Sequence, residues 1–246
     1  ITIKVITGLE ASPQYAGLPA DYRLVYAYLG FFGIVADFGL FIIAVREMAT
    51  VKTPQEQSFI LGNIYGMRML TIIAAMALAS LFVFLIPFEN YSWMVKVGVG
   101  IAAITTVLTM MASTTSSILQ VHLKMTQPTL ALIAGKIIMT IYIVLVVLYF
   151  DRVPYGFYHL LFAGIAGTLV TYITTLRHTQ HHFPFTPHYH LPYWKKVFTE
   201  AFPYGLAIIL STLYFKIDVL LLSFFRDKQE IAIYGYPSTI VELLSV

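Results

Sequence analysis

The sequence predicts an all-α integral membrane protein folded as an up-and-down bundle of transmembrane helices. Three observations carry that prediction. Hydrophobic residues make up 59% of the 246 residues and charged residues only 11%, whereas a soluble domain needs roughly 25% charge to wet its surface. Six apolar runs reach the length of roughly 20 residues that a helix needs to cross a bilayer. Short links join several of them, which makes neighbouring helices antiparallel. The runs do not alternate every second residue, as the strands of a membrane barrel would.

The runs lie at about 22–46, 65–88, 93–121, 128–150, 156–177 and 199–225, and a seventh begins near Ile231. "ENYS", "KMTQP" and "DRVPYG" are the turns after the second, third and fourth. Two links are longer. "REMATVKTPQEQSFILGN" (46–63) is polar and reads as a segment lying along the membrane surface before the second span. "RHTQHHFPFTPHYHLPYWKK" (177–196) is rich in proline, histidine and aromatics, and separates five helices from the rest. It divides the chain into 1–180, a link at 181–196, and 197–246. The front lacks the basic region, apolar core and cleavage site of a signal peptide. The chain starts at isoleucine and stops at "VELLSV" inside an apolar run, so it reads as a piece of a longer protein, short of at least one helix before it and many after.

Charge says less. Arg46, Lys52, Arg68, Lys124, Arg177, Lys195 and Lys196 flank one set of turns; Lys4, Arg23, Lys96, Arg152, Arg226 and Lys228 flank the other. Seven against six leans toward a cytoplasmic 177–196 link. With no cysteine, disulfides, zinc–thiolate sites and thiol nucleophiles are excluded. The net charge of +3 suits anionic lipids and is too small to argue for nucleic acid. No cofactor is expected.

The polar residues inside the runs point to a function. In "ADFGLFIIAVREMA" (36–49), Asp37 stands deep in an apolar run, where an ionised carboxylate at the bilayer centre costs about 2.5–3.5 kcal/mol. Counting back in helical steps puts Gly33, Gly30, Tyr26 and Tyr22 on its face, a stripe turned away from lipid. In "TTVLTMMASTTSSILQVHLK" (105–124), Thr106, Thr109, Ser113, Ser116, Ser117, Gln120 and Lys124 recur at three- and four-residue steps. Hydrogen bonds that glue helices together explain two or three such residues. A stripe of roughly four turns, ending in Gln and Lys, points instead to a water-filled cavity. Lys136 lies about 12 Å in from Pro128, too deep for easy snorkelling, with Thr129 and Thr140 on its face. In "LSTLYFKIDVLLLSFF" (210–225), Ser211, Tyr214 and Asp218 form one stripe, with Thr212 and Lys216 on a neighbouring one. Lys216 and Asp218 are two apart and point away from each other. Facing lipid, Asp37, Lys136, Lys216 and Asp218 together cost on the order of 10 kcal/mol. Two readings answer that cost: interhelical ion pairs that fix the packing, or a hydrated translocation cavity carrying both signs of charge. The cavity reading is favoured.

"ADFGLFIIAVREMA" resembles the second-helix signature of the polysaccharide biosynthesis (Wzx-type) flippases, a D-x-G-L element followed by a cytoplasmic Arg-Glu, here Arg46 and Glu47. "AFPYGLAIILSTLYFKIDVLLLSFFRDKQEIAIYGYPSTIVELL" (201–244) is similar to the start of their second lobe: a proline-led helix, then Y-x-x-I-D, then a loop ending in I-Y-G. The order and spacing of the two elements extend the resemblance over nearly the whole chain. "ADYRLVYAY" departs from the family by carrying Arg23 where a glycine is common. The resemblance implies a two-lobed fold of the multidrug/oligosaccharidyl-lipid/polysaccharide exporter superfamily, with helices two to seven and the start of the eighth present here. It implies a multi-pass protein of the cytoplasmic membrane that flips glycans linked to undecaprenyl pyrophosphate or a similar lipid. Coupling to H+ or Na+ through Asp37 is also implied. The lysines would then offer positive charge to a pyrophosphate, and Arg46 would join the pathway at the membrane surface.

Three rivals stand beside this reading. A small-cation or drug antiporter of the same superfamily calls for a cavity richer in acids than bases. An integral-membrane enzyme of glycan assembly needs acidic or basic groups in sizeable aqueous loops, yet 177–196 holds no carboxylate and 46–63 holds only Glu47 and Glu56. A non-transporting scaffold is the third. His178, His181, His182, His188 and His190 sit at spacings able to bind zinc or nickel, but an interfacial loop anchored by Tyr and Trp is the reading adopted, with no metal.

Overall fold

The structure is a computed structural model and describes residues 18–87, 91–149, 156–226, 230 and 234, the side chains of 18–19, 147–149, 212–216, 218–220 and 223–224 excepted. Its elements are all helices: α1 Leu18–Asp37, α2 Leu40–Thr50, α3 Pro54–Leu85, α4 Trp93–Val121, α5 Thr126–Tyr149, α6 Gly156–His182 and α7 Leu191–Phe225. The third run has the bounds read from the sequence. The seventh, from Ile231, lies outside the described residues. Among the described residues five stretches are long and apolar enough to cross a membrane, namely Ala20–Thr50, α3, Thr126–Val146 of α5, α4 and α6; α7 covers the sixth run. The protein is a multi-pass membrane helix bundle.

Two expectations change. The first span is not one helix. Phe38 (φ 41°) and Gly39 (φ 75°) are left-handed, and the chain restarts as α2 with Gly39 as its N-cap. Glycine takes this conformation without penalty, whereas for a residue with a Cβ it costs roughly 1–2 kcal/mol. Phe38 is held there by its neighbours: its ring stacks on Phe198 at 5.2 Å and meets Phe202 edge-on at 5.8 Å. Gly205 leaves the room, since a Cβ there would lie 2.7 Å from the Phe38 carbonyl oxygen.

The second change is that the polar link at 46–63 shrinks to Val51, Lys52 and Thr53. Thr53-Pro54-Gln55-Glu56 starts α3 as a capping box: the Thr53 hydroxyl accepts from the Glu56 N–H at 3.4 Å and donates to the Glu56 carboxylate at 2.6 Å. α3 therefore runs for 32 residues, about 48 Å, against a hydrocarbon core about 30 Å thick. Arg68, expected as a loop flank, is inside it.

The core lies between α1, α3, α4 and α6, around Leu29, Leu61, Val95, Val99 and Leu161. α1 and α4 meet at Gly33, where a Cβ would lie 3.3 Å from Thr106. α5 packs on α6 and barely touches α4. That contact depends on two facing glycines: a Cβ on Gly167 would stand 2.7 Å from the Gly135 carbonyl. The Thr171 hydroxyl also donates across the pair to the Ala131 carbonyl at 3.3 Å, the close backbone approach and polar glue of membrane helices. The first turns of α7 bury Val197 and Ala201 against Leu40, Ile43 and Met67.

The link after α6 spans only 183–190 and is bonded down rather than loose. Ser58 donates to the Pro184 carbonyl at 2.7 Å, the His188 N–H to the Gly62 carbonyl at 3.0 Å, and the His190 N–H to Asn63 Oδ1 at 3.0 Å. His190 in turn caps α7, accepting from the Tyr193 N–H at 3.3 Å.

Thr186 in the link and Trp93 at the start of α4 are three spans apart and belong on opposite faces of the membrane. Cysteines placed at these two positions should react with an impermeant maleimide from opposite sides. Reaction of both from one side would overturn the bundle's up-and-down order.

Candidate functional site

A buried arginine needs its whole guanidinium fork paired, because a lone buried charge costs several kcal/mol. Arg68 is 2% exposed. One of its Nη2 hydrogens bonds Asp37 Oδ1, and Nη2 also reaches Met110 Sδ at 3.4 Å. Nη1 donates to the Thr114 hydroxyl at 3.0 Å, and the Phe41 ring lies 5.9 Å away. Nε is buried with no partner among the described residues. Asp37 also accepts the Phe41 N–H, at the second residue of α2, where orphan amides and the helix dipole favour an anion. The carboxylate inside the run is thus explained: the helix ends there, and Asp37 compensates both the new N-terminus and Arg68. The pair is about 28 Å from the start of α1 and about 25 Å from the far end of α3. Arg68 is thus about 21 Å from the first residue of α3, near the middle of that helix.

A separate cavity of about 490 Å3 opens between α4 and α5, with α6 as its floor and Tyr22 and Tyr26 of α1 at one end. It runs from Met125 in the α4–α5 turn to Thr105, about 24 Å along α4 from its last turn. Thr109, Ser113, Ser116 and Lys136 line it, so the structure brings together four residues singled out in the sequence. Lys136 is exposed, and among the described residues it is the only charged side chain in the lining. The far end is closed by a cluster of Ile143, Leu160 and Ala163 with Tyr22, Met139 and Tyr142 against it. There the Tyr142 hydroxyl and His159 Nδ1 are 3.2 Å apart.

The other singled-out residues lie elsewhere. Asp37 is not part of the cavity lining, and the stripe it heads divides: Gly33 packs on α4 while Tyr26 and Tyr22 reach the cavity. Gln120 and Lys124 are outside the lining; Lys124 sits 5.6 Å over the Phe183 ring. Arg46 is exposed at the end of α2, near Lys196. The side chains of Lys216 and Asp218 lie outside the described residues. Among the described residues no three His, Asp or Glu side chains converge as a metal would require.

Two residues that sequence reasoning passed over hold the arrangement. Arg68 is one, and the capping box at 53–56, fifteen residues earlier at its start, is the signal that places it inside a helix. Glu47 is the other. It accepts the Tyr193 hydroxyl and, at 2.8 Å, the Lys196 ammonium, and so ties α2 to the first turns of α7. Burial first, and then this hydrogen bond, pushes the Tyr193 phenol's pKa up; the Glu47 bond likewise raises that of Lys196.

With this geometry in place, the comparison with known families is decisive. Residues 20–246 match the family described as polysaccharide biosynthesis protein. The chain belongs to that family. No curated protein and no solved structure matches it significantly. The match covers both α1–α2, where the D-x-G-L element breaks the first span, and α7, the proline-led helix that packs on that break. The resemblance to the Wzx-type flippases is therefore one of family, and the D-x-G-L spacing has a physical reason in this member: Asp closes a helix, Gly turns the chain, and Leu40 restarts it.

Replacing Arg68 with Met should leave Asp37 without its partner and destabilise the bundle by about 3–5 kcal/mol, seen as a lower unfolding midpoint in detergent. The double variant Asp37→Asn/Arg68→Met should recover most of the loss. Equal stability of the single variant and the wild type would show that the pair bears no weight.

Proposed function

We propose that this protein translocates lipid-linked oligosaccharide or polysaccharide precursors across the cytoplasmic membrane. It acts as a transporter rather than an enzyme. The observation that carries the reading is the charge of the cavity: in a member of the polysaccharide biosynthesis family, the described residues that line the intramembrane cavity are one lysine, hydroxyl-bearing and apolar residues, with no carboxylate among them. Such a lining attracts an anion such as a pyrophosphate and repels a cation. That balance speaks against the small-cation antiporter.

In this mechanism Lys136 supplies the charge that a phosphate loses on leaving the headgroup layer, and in a low-dielectric cavity such a contact is worth more than in water. Asp37 and Arg68 have a different part. They sit at the break between α1 and α2, against the first half of α7, where the second lobe of the transporter begins. Protonation or Na+ binding at Asp37 would loosen Arg68, the α2 N-terminus and the seat of α7 together, and this couples an ion to movement between the lobes. The lipid-linked glycan and the surrounding lipids are the partners.

The test is Lys136→Gln in the full-length protein. The variant should reach the membrane at wild-type levels and export glycan about tenfold more slowly or worse, the loss of a charge-assisted contact of about 1.5–3 kcal/mol. Lipid-linked oligosaccharide should accumulate on the cytoplasmic leaflet. Wild-type export by this variant would overturn the cationic path.

A further inference from the structure

The walls of the Lys136 cavity differ in chemistry. The α5 wall is apolar, with Leu132 and Met139 either side of Lys136. Lys136 makes no ion pair or hydrogen bond among the described residues, so its three ammonium donors are open. The α4 wall and the α6 floor carry hydroxyls, and the direction of each bond matters. Thr109 donates to the Thr105 carbonyl at 2.8 Å, Ser113 to the Met110 carbonyl at 3.0 Å, Ser116 to the Ser113 carbonyl at 2.8 Å, and Thr168 to the Gly164 carbonyl at 2.8 Å. Each hydroxyl hydrogen is turned into its own helix, which leaves oxygen lone pairs for the cavity. Deeper in, Thr105 lines the same space and is 7% exposed, and its Oγ1 lies beside the Tyr26 hydroxyl, the other polar group at that end of the cavity.

One cationic donor faces a ladder of acceptors, and few ligands match both. Inorganic phosphate suits Lys136, but its one or two P–OH donors sit on the phosphorus the lysine holds and cannot reach along a ladder that runs about 16 Å from Thr105 to Ser116. An ammonium compound suits the ladder but is repelled by Lys136. A phosphorylated polyol matches both, with phosphate for the lysine and hydroxyl donors for the ladder. The volume of about 490 Å3 is that of a small-ligand site.

We infer that this cavity is a glycosyl-phosphate subsite, in which Lys136 holds the phosphate and the α4 hydroxyls, with Thr105 at the inner end, accept from the sugar attached to it. The inference deepens the translocation reading and rests on it. The sugar next to the phosphate is recognised inside the bundle, and the remainder of the glycan extends beyond the cavity.

Residues 1–246 hold no cysteine, so single reporters here are clean once any cysteine outside them is replaced. In the full-length protein in detergent, Ser113→Cys would be alkylated by a water-soluble maleimide in the presence of glucose 1-phosphate, galactose 1-phosphate or N-acetylglucosamine 1-phosphate. At least one should slow the reaction about tenfold when present at about ten times its Kd. Inorganic phosphate, the free sugars and farnesyl phosphate at the same concentration should not, and a Thr186→Cys reporter in the link should react at one rate throughout. Adding Lys136→Gln should abolish the protection, and Thr105→Val, which keeps the lysine, should weaken it. Equal protection by inorganic phosphate would reduce the site to a free-anion site. Equal protection by farnesyl phosphate would make it a lipid-headgroup site without sugar recognition. Absence of protection by every sugar phosphate overturns the inference outright. The two readings fail separately: protection combined with normal export by Lys136→Gln defeats the cationic translocation path, whereas impaired export with no protection defeats the subsite.

Discussion

The bond between Asp37 and Arg68 is the constraint around which the rest of the bundle is arranged. A guanidinium with 2% exposure has no water to turn to, so its partners must come from three directions at once: α1 through Asp37, α4 through Thr114 and Met110, and α2 through the Phe41 ring. Satisfying it registers α3 against α4 and ends α1 where it ends. The left-handed pair Phe38–Gly39 follows, because the carboxylate has to face both Arg68 and the amides of the next helix. The α7 contact follows in turn, since Phe38 is exposed by the break and Phe198, Phe202 and Gly205 cover it. One electrostatic requirement is thereby passed on as backbone geometry and then as packing.

Against this tightly bonded side, the α4–α5 side is open. α5 is held by α6 through a close glycine contact and leaves a gap toward α4 that the hydroxyls line. The two sides also differ in how they hold charge: Asp37 is paired with Arg68, whereas Lys136 lines the cavity without an ion pair among the described residues.

The fold was legible in the sequence to the extent that hydropathy decides it. Runs of about 20 apolar residues locate spans because lipid tolerates no unpaired backbone, and the bounds of α4 were read to the residue. Helix ends governed by local polar chemistry were harder. Polarity alone made 54–63 a link, although Thr53 and Glu56 announce a helix start. The break at Phe38–Gly39 was hidden because an Asp-x-Gly in an apolar run also fits an unbroken helix. At the site, helical spacing placed Thr109, Ser113 and Ser116 on one face correctly, since that is a property of one helix. Arg68 beside Asp37, and Glu47 beside Tyr193 and Lys196, are contacts across 31, 146 and 149 residues of chain, and spacing within one segment carries no trace of them.

The length of α3 has a consequence for life in membranes of unequal thickness. Helices whose ends are set by lipid tilt or shift when the hydrocarbon thins or thickens. α3 is about three turns longer than that layer is thick, and it is to its first three turns, at Ser58, Gly62 and Asn63, that the link before α7 is bonded. The depth at which α7 starts is therefore measured from a protein ruler and not from the bilayer surface. A host altering its lipid composition would change the tilt of the bundle while keeping the register between α7 and the break it covers.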